Sequence, residues 1–140
     1  MKILLAVDGS PYTKKMLAYM VTHDDMFSSN SDFTIFTAHS PLPVRARSVL
    51  GKDLVDNYYS EESERVLGPV AKFLMRHGID AKSAWKVGPA GETIAKFADA
   101  GKFDLLLMGS HGHGGLANLV LGSVATRVLA HCRVPVLLVR

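Results

Sequence analysis

Cysteine is almost missing from this chain: Cys132 stands alone among 140 residues, so no disulfide can close within it. A chain without a disulfide framework fits a reducing compartment. Long apolar runs are missing as well. The run that starts at Ile3 stops at Asp8, well short of a signal-peptide core or a membrane span. A soluble, cytoplasmic protein without membrane attachment is the expectation. Charge of one sign is not in excess either, since sixteen Lys and Arg face thirteen Asp and Glu for a net +3. The nearest approach to basic clusters, Lys14 with Lys15 and Arg45 with Arg47, lacks the interleaved aromatics that would stack unpaired bases. Nucleic acid is therefore not an expected partner. Two absences are local: no Asp or Glu occurs from Leu105 to Arg140, and no Lys after Lys102, while Arg127, Arg133, Arg140, His111, His113 and His131 all fall in that last stretch. Nothing in it repels an anion.

The composition that is present, 48% hydrophobic over 140 residues, suffices for one core and is too short for two, so a single domain over residues 1–140 is expected. Ile3 to Val7 is a short continuous apolar run followed by turn residues, the pattern of a strand buried on both faces of a parallel sheet. Ser10 and Pro11 start a helix, a hydroxyl to cap early N–H groups and a proline where no donor is needed. Tyr12, Met16 and Met20 then repeat at helical spacing. Phe33 to Ala38 is a second strand and Ser40 to Pro43 a loop. A long helical segment follows, with Gly78 at its left-handed cap. Gly68 and Pro69 interrupt it, predicting a kink or two shorter helices. Lys82 to Val87 is strand three, Pro89 to Ala100 a helix stopped by Gly101, Asp104 to Met108 strand four, Ser123 to about His131 the last helix, and Val136 to Val139 strand five. Strands alternating with helices call for a three-layer, doubly wound parallel α/β sheet with right-handed crossovers. Ligands in such sheets sit beyond the C-terminal strand ends, where the winding changes direction.

The loop after strand four is the richest in glycine: Gly109, Gly112, Gly114, Gly115 and Gly122 lie within fourteen residues, and Gly122-Ser123 opens the next helix. A polyphosphate needs converging backbone N–H donors and close approach of the chain, which glycine permits, and a helix N-terminus adds a favourable dipole. Ser110 and Ser123 add hydroxyls. A lone glycine cluster would be better read as a surface loop; here its position directly after a strand and before a helix tips the balance. A P-loop is excluded because it requires Lys before Ser or Thr. The dinucleotide fingerprint fits Gly112, Gly114 and Ala117 by spacing, yet it belongs on the first strand–helix turn with an acid about twenty residues later, and neither condition holds. A phospho-acceptor receiver would need paired acids after strand one, where only Asp8 stands, and a lysine near the last strand.

What fits is Gly109-x2-Gly112-x9-Gly122-Ser123, which resembles the nucleotide-binding signature of the universal stress protein family, in its ATP-binding subgroup. The likeness runs the length of the chain, through Ala6-Val7-Asp8-Gly9-Ser10, Val87-Gly88-Pro89-Ala90 and Val134-Pro135-Val136-Leu137-Leu138-Val139. It implies an adenine nucleotide alpha hydrolase-like fold, a five-stranded parallel sheet of order 3-2-1-4-5. It implies that Ala6, Val7 and Ala38 line an adenine, that Asp8 faces the ribose or a bound Mg2+, and that Met108, Gly109, His111 and Gly112 wrap ribose and phosphates. His113 would stand near the end of the phosphate chain, and Gly122, Ser123 and Val124 would complete the cradle. It implies ATP, or AMP or ADP, as ligand and a homodimer paired through Val136 to Val139, a strand whose apolar edge would otherwise be open. Two departures stand out. His113 occupies a place where many members carry arginine or lysine, implying a weaker or pH-sensitive hold on the terminal phosphate, and Pro69 falls in a helix that is usually continuous.

Simpler roles compete at single residues. Asp8 can close strand one through an Asx turn. His111 and His113 lack a third partner for zinc, so any metal would be Mg2+ carried by phosphates. His23, His39, His77 and His131 read as surface or helix-end histidines, and Trp85, the methionines of the first helix and Cys132 as packing. The function expected is an adenine-nucleotide-binding stress-response or regulatory protein in which turnover need not follow. A slow ATP hydrolase or self-phosphorylating phosphotransferase ranks second, with Asp8 on the metal and His113 or Ser123 at the terminal phosphate. A dimeric interaction module without ligand ranks third.

Overall fold

Apolar residues on both sides of one strand force a sheet with two covered faces, and β1 (Lys2–Ala6) shows it directly. Ile3 and Leu5 enter one core cluster while Leu4 and Ala6 enter the other, as the alternation of side chains along a strand demands. A computed structural model describes residues 1–27, 30–114 and 118–140; Gly115 and Ala117, which figure in the glycine spacings above, lie outside the described residues. The element order is β1, α1 (Pro11–Thr22), β2 (Asp32–His39), α2 (Val44–Leu50), α3 (Lys52–Arg76), β3 (Lys82–Val87), α4 (Ala90–Ala100), β4 (Leu105–Gly109), α5 (Ser123–His131) and β5 (Val136–Val139). All pairings are parallel, and the five strands run in the order β3-β2-β1-β4-β5. Helices α1 and α3 cover one face through Met16, Leu17, Met20, Leu67, Val70 and Leu74. Helices α4 and α5 cover the other through Ile94, Ala98, Ala125 and Val128.

Helix α1 begins as expected: the Ser10 hydroxyl accepts from the Thr13 N–H at 3.4 Å, Pro11 fills the first position, and Gly9 at φ +76° makes the turn into it. Three expectations need correction. Of the two outcomes expected at Pro69, a kink or two shorter helices, the division does not occur; α3 runs through Pro69 for 25 residues, and a break between helices falls at Gly51, whose φ of +82° separates α2 from α3. Pro69 removes the donor to the Arg65 carbonyl and costs about 3 kcal/mol in a helix interior, but buried Leu67 and Val70 on either side hold the helix against the sheet. Trp85 is not core, because β3 is the outer strand beyond β2 and leaves the indole 38% exposed. His39 is not a surface histidine, being half-buried at the end of β2. Strands one and four are each shifted by one residue from their sequence-based limits, whereas α5 and β5 fall where expected.

Sheet order decides where a ligand could enter. The chain winds outward from β1 to β3 and then crosses back to β4 on the other side of β1, so the loops after β1 and β4 diverge and leave a crevice between them.

Candidate functional site

The crevice is a cleft of about 730 Å³, within the range of small-molecule sites. Its walls bring together every residue singled out by the family resemblance: Ala6, Val7 and Asp8 from the end of β1, Ala38 from β2, Met108 and Gly109 from β4, His111, Gly112 and His113 from the following loop, and Gly122, Ser123 and Val124 where α5 begins. Sequence reasoning did not single out Tyr12 and Thr13 of α1, Ala90 and Ile94 of α4, Leu119 and Leu121 of the loop, or the α5 residues Thr126 and Ala130. Tyr12 and Thr13 follow directly from the Ser10-Pro11 helix start, which turns the first residues of α1 back over β1; that signal was available. The α4 contribution was not, since it depends on how α4 meets α5.

Asp8 does two things at once. Its Oδ1 accepts from the Ser10 N–H at 2.9 Å, an Asx turn, and from the Thr13 hydroxyl at 2.9 Å, while Thr13 Oγ1 accepts from the Asp8 N–H at 3.1 Å. The strand-terminating role is therefore real. Its Oδ2 points the other way, to Gly112, where a Cβ built on that glycine would come within 2.6 Å of it. Asp8 is also the one acid among the described residues that line the cleft.

Glycine is required here by contacts within the chain. A Cβ on Gly109 would lie 2.6 Å from Tyr12 Cβ and 3.2 Å from the His111 carbonyl oxygen, and one on Gly122 would lie 3.0 Å from both His111 Cα and the Ser110 carbonyl oxygen. The Gly122 N–H donates to that Ser110 carbonyl at 2.8 Å, tying the start of α5 to the end of β4. Helix α5 carries no side-chain cap, so its first-turn N–H groups remain available to an anion at the cleft wall.

The polar side chains of the glycine-rich loop are largely spoken for. His111 donates from Nε2 to the Leu119 carbonyl at 2.7 Å, and its Nδ1 lies 2.8 Å from the Ser110 hydroxyl. Its ring also packs against Tyr12 at 5.0 Å. Ser110 is buried and bonded to His111, so it does not supply the hydroxyl to the cleft that its position suggests; Ser123 is exposed and does line it. His113 reaches across the cleft mouth and donates from Nε2 to the Asp8 carbonyl at 2.7 Å. Arg127 pairs with Glu92 of α4 at 3.0 Å, and His131 lies 3.9 Å from the same carboxylate. The last third of the chain, free of acids in sequence, thus receives one in space. Arg133 and Arg140 are not among the cleft residues.

Next to the cleft, His39 donates from Nε2 to Ser63 Oγ at 2.7 Å, and the Ser63 hydroxyl donates to the Tyr59 carbonyl at 2.7 Å. Burial lowers the pKa of His39 against the opposing pull of Glu62. Burial likewise raises that of Cys132, whose thiol lies 3.7 Å from Asp99 and outside the cleft. Among the described residues no group of three His, Cys, Asp or Glu could hold a metal ion, and no helix is long and apolar enough to cross a membrane.

A doubly wound parallel sheet with a glycine-walled cleft at its switch point defines the class, an α/β protein of the adenine nucleotide alpha hydrolase-like fold. The universal stress protein family model matches residues 1–140, and the chain belongs to that family. A universal stress protein of Thermus aquaticus is 31% identical over 99% of this chain and 97% of its own length. One from Synechocystis is also 31% identical over 99% of this chain, which spans only 42% of that longer relative. Among solved structures, a Methanocaldococcus jannaschii universal stress protein superposes with a TM-score of 0.81 at 25% identity, over 99% of this chain and 94% of its own. A universal stress protein in complex with cAMP gives 0.66 at 23% identity, covering 100% and 96% of the two chains. One from Arabidopsis thaliana with AMP bound gives 0.65 at 16%, covering 99% and 90%.

Proposed function

We propose that this chain is an adenine-nucleotide-binding regulatory protein of the stress response, holding its ligand in the cleft between the loops after β1 and β4. The observation that carries the reading is the convergence of the glycine signature on one wall of that cleft: a Cβ on Gly109 or Gly122 would run into neighbouring backbone and one on Gly112 into the Asp8 carboxylate, beside the uncapped start of α5. Apolar Ala6, Val7 and Ala38 on the opposite side suit a flat base, and Asp8 Oδ2 suits a ribose hydroxyl. The family relatives crystallised with cAMP and AMP support the same ligand class. ATP, AMP and ADP all belong to it. Where the nucleotide brings Mg2+, Asp8 is the residue to hold it; a lone carboxylate makes such an ion dependent on the ligand's own phosphates. In this reading the bound nucleotide acts as a structural or signalling ligand. We further propose a homodimer through Val136–Val139, the outer strand of the sheet and apolar at every position.

Calorimetric titration with AMP and with ATP plus magnesium tests the site, using wild type and Gly122→Trp, whose indole would fill the cradle. Micromolar binding to wild type and none to the variant is expected. A wild-type protein that binds no adenine nucleotide would leave a ligand-free dimeric module as the better account.

A further inference from the structure

The size of the cleft does not decide how many phosphates its ligand carries, since about 730 Å³ accommodates any of the adenine nucleotides. Charge decides it. Each added phosphate brings further negative charge that has to be met by cations or N–H donors at the far end of the site. Four side chains of basic type line the cleft, Arg127, His111, His113 and His131. Arg127 is already paired with the carboxylate of Glu92, with His131 beside the same oxygen. His111 has both ring nitrogens committed, to Ser110 and to the Leu119 carbonyl. His113 donates to the Asp8 carbonyl and so holds the two loops together across the cleft mouth. Lys15 lies over the Tyr12 ring at 4.8 Å and is not among the lining residues. The sequence places no further lysine or arginine between Lys102 and Arg127. Against these stands Asp8, whose carboxylate faces the loop at Gly112.

We propose that this cleft selects an adenosine monophosphate over the triphosphate, because each side chain of basic type that lines it already holds a contact within the protein. The inference rests on the adenine-nucleotide reading above and sharpens it. A single phosphate is served by the uncapped first turn of α5 and the backbone N–H groups of His111 and Gly112, donors that need no side chain. The β- and γ-phosphates of ATP would extend toward His113, whose Nε2 is bound to the Asp8 carbonyl, and among the described residues lining the cleft the one guanidinium, that of Arg127, is paired with Glu92. Drawing His113 Nε2 or the Arg127 guanidinium onto the outer phosphates of ATP would give up the bond to Asp8 or the pair with Glu92, and AMP asks for neither. His113 is then the residue that sets phosphate number.

Titration calorimetry with adenosine, AMP, ADP and ATP, each with and without magnesium, tests this on wild type and on His113→Arg, with His113→Lys as a second variant should the first fail to fold. The order expected is AMP tightest, with adenosine and ATP each weaker by about tenfold, the scale of a single charge-assisted hydrogen bond. His113→Arg or His113→Lys should tighten ATP about tenfold and leave AMP within about threefold. Wild type that binds ATP as tightly as AMP, or variants with an unchanged ratio, would overturn the inference and leave the adenine-nucleotide reading standing. Absence of binding by all four compounds would sink both.

Discussion

Two loops face each other across the cleft and are built on opposite principles. The β1–α1 connection is short and closes on itself: Asp8, Ser10 and Thr13 satisfy one another within six positions, and Gly9 makes the turn. The β4–α5 connection is long, and its described part takes its shape from elsewhere. Gly109 is pressed against Tyr12 of α1, His111 reaches Leu119, His113 reaches Asp8, and Gly122 closes back on Ser110. One loop is stabilised by hydrogen bonds within itself, the other by hydrogen bonds to more distant residues and by the absence of side chains where it meets its neighbours. Substitutions therefore separate them by kind as well as by size.

The largest effect belongs to the second loop. Gly109→Ala would drive a methyl against Tyr12 Cβ, the Tyr12 backbone carbon and the His111 carbonyl, none of which is the free end of a flexible side chain. Overpacking of this sort costs about 3 kcal/mol. In a domain of this size that lowers Tm by about 10 °C, and thermal unfolding followed by circular dichroism checks it. A loss under about 1 kcal/mol would show that the approach of α1 to β4 can relax, and the contrast between the loops would weaken.

A middle-sized effect is expected in the first loop. Thr13→Val keeps the shape and removes a buried hydroxyl that both accepts from the Asp8 N–H and donates to the Asp8 carboxylate. The loss should be about 1–2 kcal/mol in urea unfolding with the slope unchanged. Ser63, bonded to His39 and Tyr59, offers a comparison outside both loops.

How much of this was legible in the sequence follows the same division. The Ser10-Pro11 start and the limits of α5 are local features, carried by residues near one another in the chain, and they appear in the fold as expected; the Asx turn at Asp8, the simpler role weighed for that residue, is equally local and is present too. The residues that line the cleft were legible through the family resemblance, whose implied strand order puts the ends of β1 and β4 side by side, as they are in the fold. What escaped was non-local. No acid follows Leu105 in sequence, yet Glu92 reaches Arg127 because Gly91 lets α4 and α5 pack with an α4 backbone carbon against the Arg127 side chain. The position of His113 suggests a phosphate ligand, whereas its bond to the Asp8 carbonyl spans 105 residues. The exposure of Trp85 reflects β3 standing at the edge, which composition does not disclose. Pro69 announces the penalty it brings to an isolated helix, while the burial of Leu67 and Val70 that offsets it is tertiary.

The smallest effect is the most discriminating, because it carries the opposite sign. Gly114 belongs to the same glycine-rich loop as Gly109, but among the described residues a Cβ there meets nothing within 4 Å, and its φ is not among the positive ones. If glycine is retained in this loop only where backbones collide, Gly114→Ala should be tolerated. It should also stabilise, by about 0.4–1 kcal/mol, since alanine narrows the conformations open to the unfolded chain. A rise in Tm of about 1–3 °C is expected, with AMP affinity unchanged in the same calorimetric assay. Should Gly114→Ala instead weaken AMP binding while leaving the fold intact, the ligand and not the protein would be what excludes a side chain at that position. The loop would then divide into a part shaped by α1 and Asp8, and a part shaped by the nucleotide.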